Sequence, residues 1–429
     1  FLNSFGYVPA APTLALIVLA VLLLVFKAPC WKHWRSDSSD HHQWFQGIPG
    51  PIAFPLIGNS FQLGSMPHLK LSRMAAKYGD VFHLKLGSRH IVVINGEETI
   101  REALVKHAAD FAGRPDFPSY HLVSNGYTHF GKTVGAGSLV DVMPWLLKFP
   151  NPIRALFHDF ELINRDIFTF IKKKVEEHRE TYREGTVRDM IDAFIKLIES
   201  GGGIGEGETK LQPHHVESTL TDIFGASQDT LSTFLQWFVL LVMKYPKMQN
   251  RLQKELDLVV GRDRLPRSGD RINLPFTEAF MYEVLRYTCF VPITIPHATT
   301  TDTELNGFDI PKDTIIFINQ WSVNRDPKIW KDPEKFWPER FLQDQSSKGV
   351  DRELIRRVLI FSAGRRRCVG EELAKVQLFL FSSILLHQLN FSPKSGEQLS
   401  LEGVYSLPDW IEKKIILKVI SLKLLNRST

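Results

Sequence analysis

Apolar residues follow three different spacings along the chain, and each spacing predicts a different element. Tyr7 to Phe26 is apolar almost without a break, about the 20 residues a helix needs to cross a bilayer core, although Pro9 and Pro12 weaken its first turn. Lys27, Lys32 and Arg35 follow at once. A cleavable leader carries its charges before the apolar run, so this order predicts an uncleaved anchor with its C-terminal side in the cytosol. A run of period-two spacing, Val81 to Leu86 and Ile91 to Ile94 around Gly87-Ser88, predicts a hairpin. Helical spacing marks Leu69 to Tyr78, Glu97 to His107, Pro152 to Glu180 and Val216 to Lys244, and places Leu373, Val376, Leu380 and Ile384 on one stripe. The chain is therefore expected to be mainly α with small β-sheets. Residues 1–27 read as a membrane anchor helix, 28–51 as a polar linker ending in the stiff Ile48-Pro49-Gly50-Pro51, and 52–429 as one large domain. Ser200 to Glu208 is a glycine-rich acidic surface loop.

With 429 residues and 44% hydrophobic content, a substantial core is available and disorder is excluded. The net charge is only +5, which implies no nucleic-acid partner. Three scattered cysteines, Cys30, Cys289 and Cys368, do not make a disulfide framework, and no zinc-type Cys/His spacing occurs. Cys30, beside the anchor, reads as an unmodified thiol, with palmitoylation the alternative.

Cys368 differs from the other two. In Phe361-Ser362-Ala363-Gly364-Arg365-Arg366-Arg367-Cys368-Val369-Gly370 it sits among three arginines and ahead of a helical stripe. Both features favour the thiolate and predict a lowered pKa, hence a metal ligand or nucleophile. Gly364 and Gly370 let the backbone turn sharply and approach something flat. An inert cysteine in a basic surface turn is the alternative.

The pattern Phe-x-x-Gly-x-Arg-x-Cys-x-Gly resembles the haem-ligand loop of the cytochrome P-450 superfamily. The resemblance implies that fold, with haem b ligated through Cys368, Phe361 packed beside the ligand and Arg366 paired with a haem propionate. Further motifs extend it. Gly225-Ala226-Ser227-Gln228-Asp229-Thr230 resembles the oxygen-activation groove of the central helix, with Ser227 where glycine is usual. It implies that Thr230 holds oxygen and a water, that Asp229 relays protons, and that Phe224 and Ala226 face substrate. Glu283-Val284-Leu285-Arg286 and the later Arg340 are similar to the family's structural Glu-Arg-Arg network. Val291 to His297 resembles a pocket-lining segment in which Thr294 faces substrate and His297 meets a propionate.

The likeness is greatest to family 1, in its C or B subfamilies. After Gly126 it jumps to sequence resembling the end of a later helix, so chain appears to be missing there, including the Trp-x-x-x-Arg helix that grips the propionates. Trp31 to Arg35 and Trp321 to Arg325 match that spacing and read as decoys, and Pro408 to Lys414 departs from the family's tail. The resemblance implies a monooxygenase of apolar aromatic or steroid-like substrates in the endoplasmic reticulum membrane, with a mitochondrial membrane as the alternative address. Electrons would come from NADPH-cytochrome P-450 reductase, with cytochrome b5 a further candidate donor. Arg365, Arg367 and Lys375 form a candidate docking patch, and a solvated basic face is the equal alternative. Two other readings stay open: a haem-thiolate isomerase needing no external electrons, and a silent shortened variant.

Overall fold

A computed structural model describes residues 47–123, 139–201, 212–343, 349–393, 399–401 and 423–426. The expected anchor, Cys30, Trp31 to Arg35, the stretch after Gly126, the 202–208 part of the acidic loop and Pro408 to Lys414 lie outside them. Among the described residues no helix is long and apolar enough to cross a membrane.

Seven helices of ten residues or more carry the described fold: α1 (Pro67–Tyr78), α2 (Pro152–Thr181), α3 (Met190–Glu199), α4 (Pro213–Lys244), α5 (Pro246–Val260), α6 (Pro275–Thr288) and α7 (Glu371–Gln388). All but α3 and α7 open on proline, whose fixed φ suits the first helical position and whose missing N–H is not needed there. That is why α1 and α4 begin two and three residues before their apolar spacing does. The expected helix Glu97 to His107 divides. An α-helical Glu97–Arg101 widens into a π-turn over Glu102–Lys106, closed by His107 N–H donating to the Glu102 carbonyl.

The main sheet has four strands, in spatial order β1 (Val81–Leu86), β2 (Arg89–Ile94), β6 (Ile315–Ile318) and β3 (His297–Ala298). Strands β1 and β2 form the expected hairpin. β3 precedes a small hairpin of β4 (Thr303–Leu305) and β5 (Phe308–Ile310), and β6 then returns to the main sheet. There β6 pairs parallel to β2, Ile91 opposite Ile315, and antiparallel to β3, His297 opposite Ile316. A separate pair, β7 (Leu389–Ser392) and β8 (Lys423–Asn426), follows α7.

The largest core joins α4, α5, α6 and α7 through Phe234, Phe238, Leu252, Phe280, Leu378 and Phe379. The buried face of α7 is Leu378, Phe379, Ser382 and Leu386, not the stripe through Val376, which is exposed. Helix packing against α4 and α6 selects the face, and periodicity cannot.

Inside this core lies an ion network. Arg286 donates to both carboxylate oxygens of Glu283 at 2.7 and 2.8 Å, Arg340 Nε lies 3.2 Å from the same carboxylate, and the Trp337 N–H donates to it at 2.7 Å. Glu283 and Arg286 are completely buried. The remaining guanidinium hydrogens go to carbonyls of Asn324, Pro333, Lys331 and Lys335. Arg286→Leu strands the Glu283 carboxylate, and we expect a loss of about 3–5 kcal/mol, read from the shift of the urea unfolding midpoint.

Candidate active site

The loop carrying Cys368 is built by backbone. Cys368 N–H donates to the Phe361 carbonyl at 2.8 Å, and Gly364–Arg366 makes one 3-10 turn between them. Gly364 has φ 72, and a Cβ there would lie 1.7 Å from the carbonyl oxygen of Leu104. This glycine therefore lets the cysteine loop approach the π-turn of residues 102–106. At Gly370 the only atom near an added Cβ is the Cys368 sulfur at 3.9 Å, so this side of the cysteine is open. Cys368 is exposed. Phe361 is half-buried and packs against the main core, with the Lys375 ammonium 6.0 Å from its ring centre.

The lowered pKa expected of Cys368 is not found. The enclosing protein raises it first and Glu371 raises it further, against a hydrogen bond from the Gly370 N–H. All three neighbouring arginines are exposed, and Arg366 Nε donates to the Ala112 carbonyl at 2.7 Å. Proximity in sequence did not become proximity to sulfur. Cys289 is buried, its thiol pushed up to about 12 by burial, and it accepts a bond from Asn324.

A second group of residues surrounds His297. This side chain is buried, and its Nδ1 bonds the Phe111 carbonyl at 2.8 Å. Burial holds its pKa down at about 3, and the neighbouring Arg114 and Arg366 push the same way. Arg114, which no motif in the sequence singles out, donates from Nη1 to the carbonyls of Ile295 and Pro296. Burial lowers its pKa to about 10, and Arg366 adds to that. Two guanidiniums thus flank a neutral imidazole whose one N–H is taken by Phe111, and the guanidiniums are the groups suited to hold carboxylates.

The middle of α4 is the third part. Thr230 Oγ1 donates to the Ala226 carbonyl at 2.9 Å, and Ser227 Oγ to the Phe224 carbonyl at 3.1 Å. Both bonds divert hydroxyls onto the helix backbone. Asp229 and Thr230 are exposed, and nothing lies within 4 Å of a Cβ added at Gly225. Phe224 is 45% exposed, with its ring 6.4 Å from that of Phe170 on α2. Asp222 lies four and eight residues before Ala226 and Thr230, on the same helix face, and burial raises its carboxyl to about 7. Its only sequence signal was a carboxylate inside an apolar stretch. Thr294 is buried, and its hydroxyl makes no hydrogen bond to the protein. α4 packs directly on α7, whose first turn follows Cys368.

Trp321 and Arg325 stack on one another, and Arg325 spends its donors on Glu334, Pro333 and Tyr287. Lys375 departs from the expected basic patch, since it pairs with Glu371 at 2.7 Å and Glu372 at 3.0 Å.

A family model for cytochrome P450 matches residues 48–137 and 132–409. Cytochrome P450 1B1 of Homo sapiens is 43% identical over 460 residues, covering 84% of this chain and 84% of that protein. The Rattus norvegicus cytochrome P450 1B1 is 40% identical over 498 residues, with 92% and 90% covered. Cytochrome P450 1A1 of Homo sapiens is 33% identical over 482 residues, with 88% and 93% covered. Each alignment is longer than the 429 residues of this chain, so each relative carries residues that face gaps here.

Two titrations follow. In the ligand-free chain, alkylation of Cys368 read by mass spectrometry should rise with pH around a midpoint above that of an ordinary cysteine, while Cys289 stays unlabelled. His297 stays neutral in the fold down to about 3, whereas in the unfolded chain it takes a proton near 6.5. Stability therefore falls as pH drops through that window, and His297→Gln should lose less over it in acid-unfolding curves.

Proposed function

The chain belongs to the cytochrome P450 family, in its family 1 branch, and on that premise we propose that this haem-thiolate monooxygenase oxidises apolar aromatic or steroid-like substrates with electrons from NADPH through a separate reductase. The observation that carries the reading is Cys368: an exposed thiol with an open side, on a loop whose backbone is fixed by Phe361 and by the contact of Gly364 with Leu104. Haem fits these residues, since the chain offers one sulfur ligand together with cations suited to carboxylates. When bound, haem supplies oxygen activation at an iron whose thiolate ligand favours O–O cleavage.

Cys368 would hold the iron, and because its thiol is raised in the free chain, binding must release that proton. Arg114 and Arg366 would take the propionates as charged donors. His297, neutral at physiological pH, spends its one N–H on the Phe111 carbonyl and would serve as a buried wall beside the two guanidiniums, not as a donor to a propionate. This set supports the idea that the site can anchor haem without the Trp-x-x-x-Arg helix.

Thr230 already donates its hydroxyl proton to Ala226, so its lone pairs are left to accept from a water. Asp229, exposed at the next position, would hand protons to that water from solvent. Phe224, Ala226 and Thr294 would line the substrate space, and the Thr294 hydroxyl, without a partner among the described residues, would offer it a polar contact. Glu283, Arg286 and Arg340 take no part in chemistry and hold the fold behind the loop.

The gaps facing the relatives support a deletion after Gly126, as does the family match in two pieces that overlap at 132–137. Phe170 and Phe224, 50% and 45% exposed, would then form an unusually open rim. Membership of this family also supports an endoplasmic reticulum address, with the 1–27 segment as anchor. Arg365 and Arg367 are the exposed cations left for an acidic electron donor.

The reduced protein under carbon monoxide should give the strongly red-shifted Soret band of thiolate-ligated haem, and Cys368→Ser should abolish the shift. An unshifted band, or no haem uptake, overturns the reading. Thr230→Val should keep that band and lower product formation on the order of 10²-fold, measured as product per NADPH consumed.

A further inference from the structure

We propose that Gln320 is a positioning residue for the cysteine loop: its buried side-chain amide holds Ser362 in a left-handed backbone conformation and so fixes the turn that presents Cys368. The proposal rests on the reading of Cys368 as the iron ligand. Ser362 has φ 62, a conformation in which the Cβ of an L-residue crowds the neighbouring carbonyl. A non-glycine residue persists there only where its surroundings over-determine it. Its own side chain does not help, because Ser362 Oγ is buried without a hydrogen-bond partner.

The help comes from outside the loop. The Ser362 N–H donates to Gln320 Oε1 at 3.0 Å, and Gln320 Nε2 donates to the carbonyls of Ile360 at 3.4 Å and Val291 at 2.9 Å. One amide therefore grips the chain on both sides of Phe361, whose carbonyl accepts the Cys368 N–H. Asn324, four residues on and also fully buried, repeats the arrangement at Leu359. Its Oδ1 accepts from Leu359 N–H at 2.9 Å, and its Nδ2 donates to the Leu359 carbonyl at 2.6 Å. The short helix Gln320–Asn324 thus offers two amides at i and i+4 as a ladder for residues 359–362. A carboxylate at 320 could accept from Ser362 but could not donate to Ile360 or Val291, and it would bury a charge.

Gln320→Met keeps length and apolar bulk while deleting the amide, and Ser362→Gly accepts the left-handed conformation without support. In the haem-loaded chain under carbon monoxide, Gln320→Met should hasten decay of the red-shifted band to the unshifted form about tenfold. Adding Ser362→Gly should restore the slow decay, while Ser362→Gly alone changes little. An unaffected band in Gln320→Met, or a double variant no better than the single, overturns the proposal, since a packing role gives no rescue by glycine. A second readout needs no haem. Hydrogen exchange at the Ser362 amide should quicken about tenfold in Gln320→Met, with the core of α4 to α7 unchanged. If the wild-type chain shows no red-shifted band, the haem reading fails, and the exchange result still decides the clamp. Unchanged exchange at Ser362 overturns it.

Discussion

One buried carboxylate constrains the whole cysteine side of this molecule. Glu283 sits on α6 with no access to water, and its charge is tolerable only because Arg286, Arg340 and the Trp337 N–H converge on it. Burial by itself lowers the pKa of Arg340, and the Glu283 charge opposes that. Each guanidinium then spends its other hydrogens on carbonyls of residues 324–335. The network therefore fixes an irregular stretch that periodic hydrogen bonds cannot fix, and that stretch lies against Gln320 and Asn324, the residues that grip the cysteine loop. Such a network is weak evidence of stability, since well-packed apolar groups could do as well. Its value here is that it leaves one arrangement of the segment.

The site shows the same economy of fixed backbone. Gly364 admits the Leu104 carbonyl where any side chain would collide, so the π-turn after Arg101 and the cysteine loop are locked together. Around them the charges are deliberately unbalanced: Arg114 and Arg366 bear on a buried, neutral His297, with carbonyls as their bonded partners. Unbalanced cations are a cost in the free chain that a dianionic group would relieve, and the metal it bears would favour the thiolate that the free chain disfavours. The middle of α4 adds hydroxyls turned onto their own helix, leaving acceptor lone pairs toward the open side.

Much of this was legible in the chain. The motif around Cys368, the Asp229-Thr230 pair and the spacing of Glu283, Arg286 and Arg340 are local, and so are the hairpin and the long helices. Arg114, Asp222 and Gln320 were not. None of the three was singled out by a motif or a spacing. Arg114 and Gln320 meet their partners at residues 295–296 and 360–362, distant in sequence, and Asp222 is shifted by burial alone, which only the fold sets.

The amino-acid sequence by itself determined the chemistry on offer: one cysteine in a loop with obligatory glycine, a threonine able to bond back along its helix, and opposite charges at helical spacing. These depend on neighbours within a few residues, where covalent geometry limits the outcomes. Only the tertiary structure decided the electrostatics. Three arginines beside Cys368 turned outward, so burial and Glu371 raise the thiol. Lys375 spent its charge on Glu371 and Glu372, and α7 buried a different stripe from the one its spacing favoured. The physical reason is that desolvation and charge act through distance in space, and that distance is set by which helix packs on which.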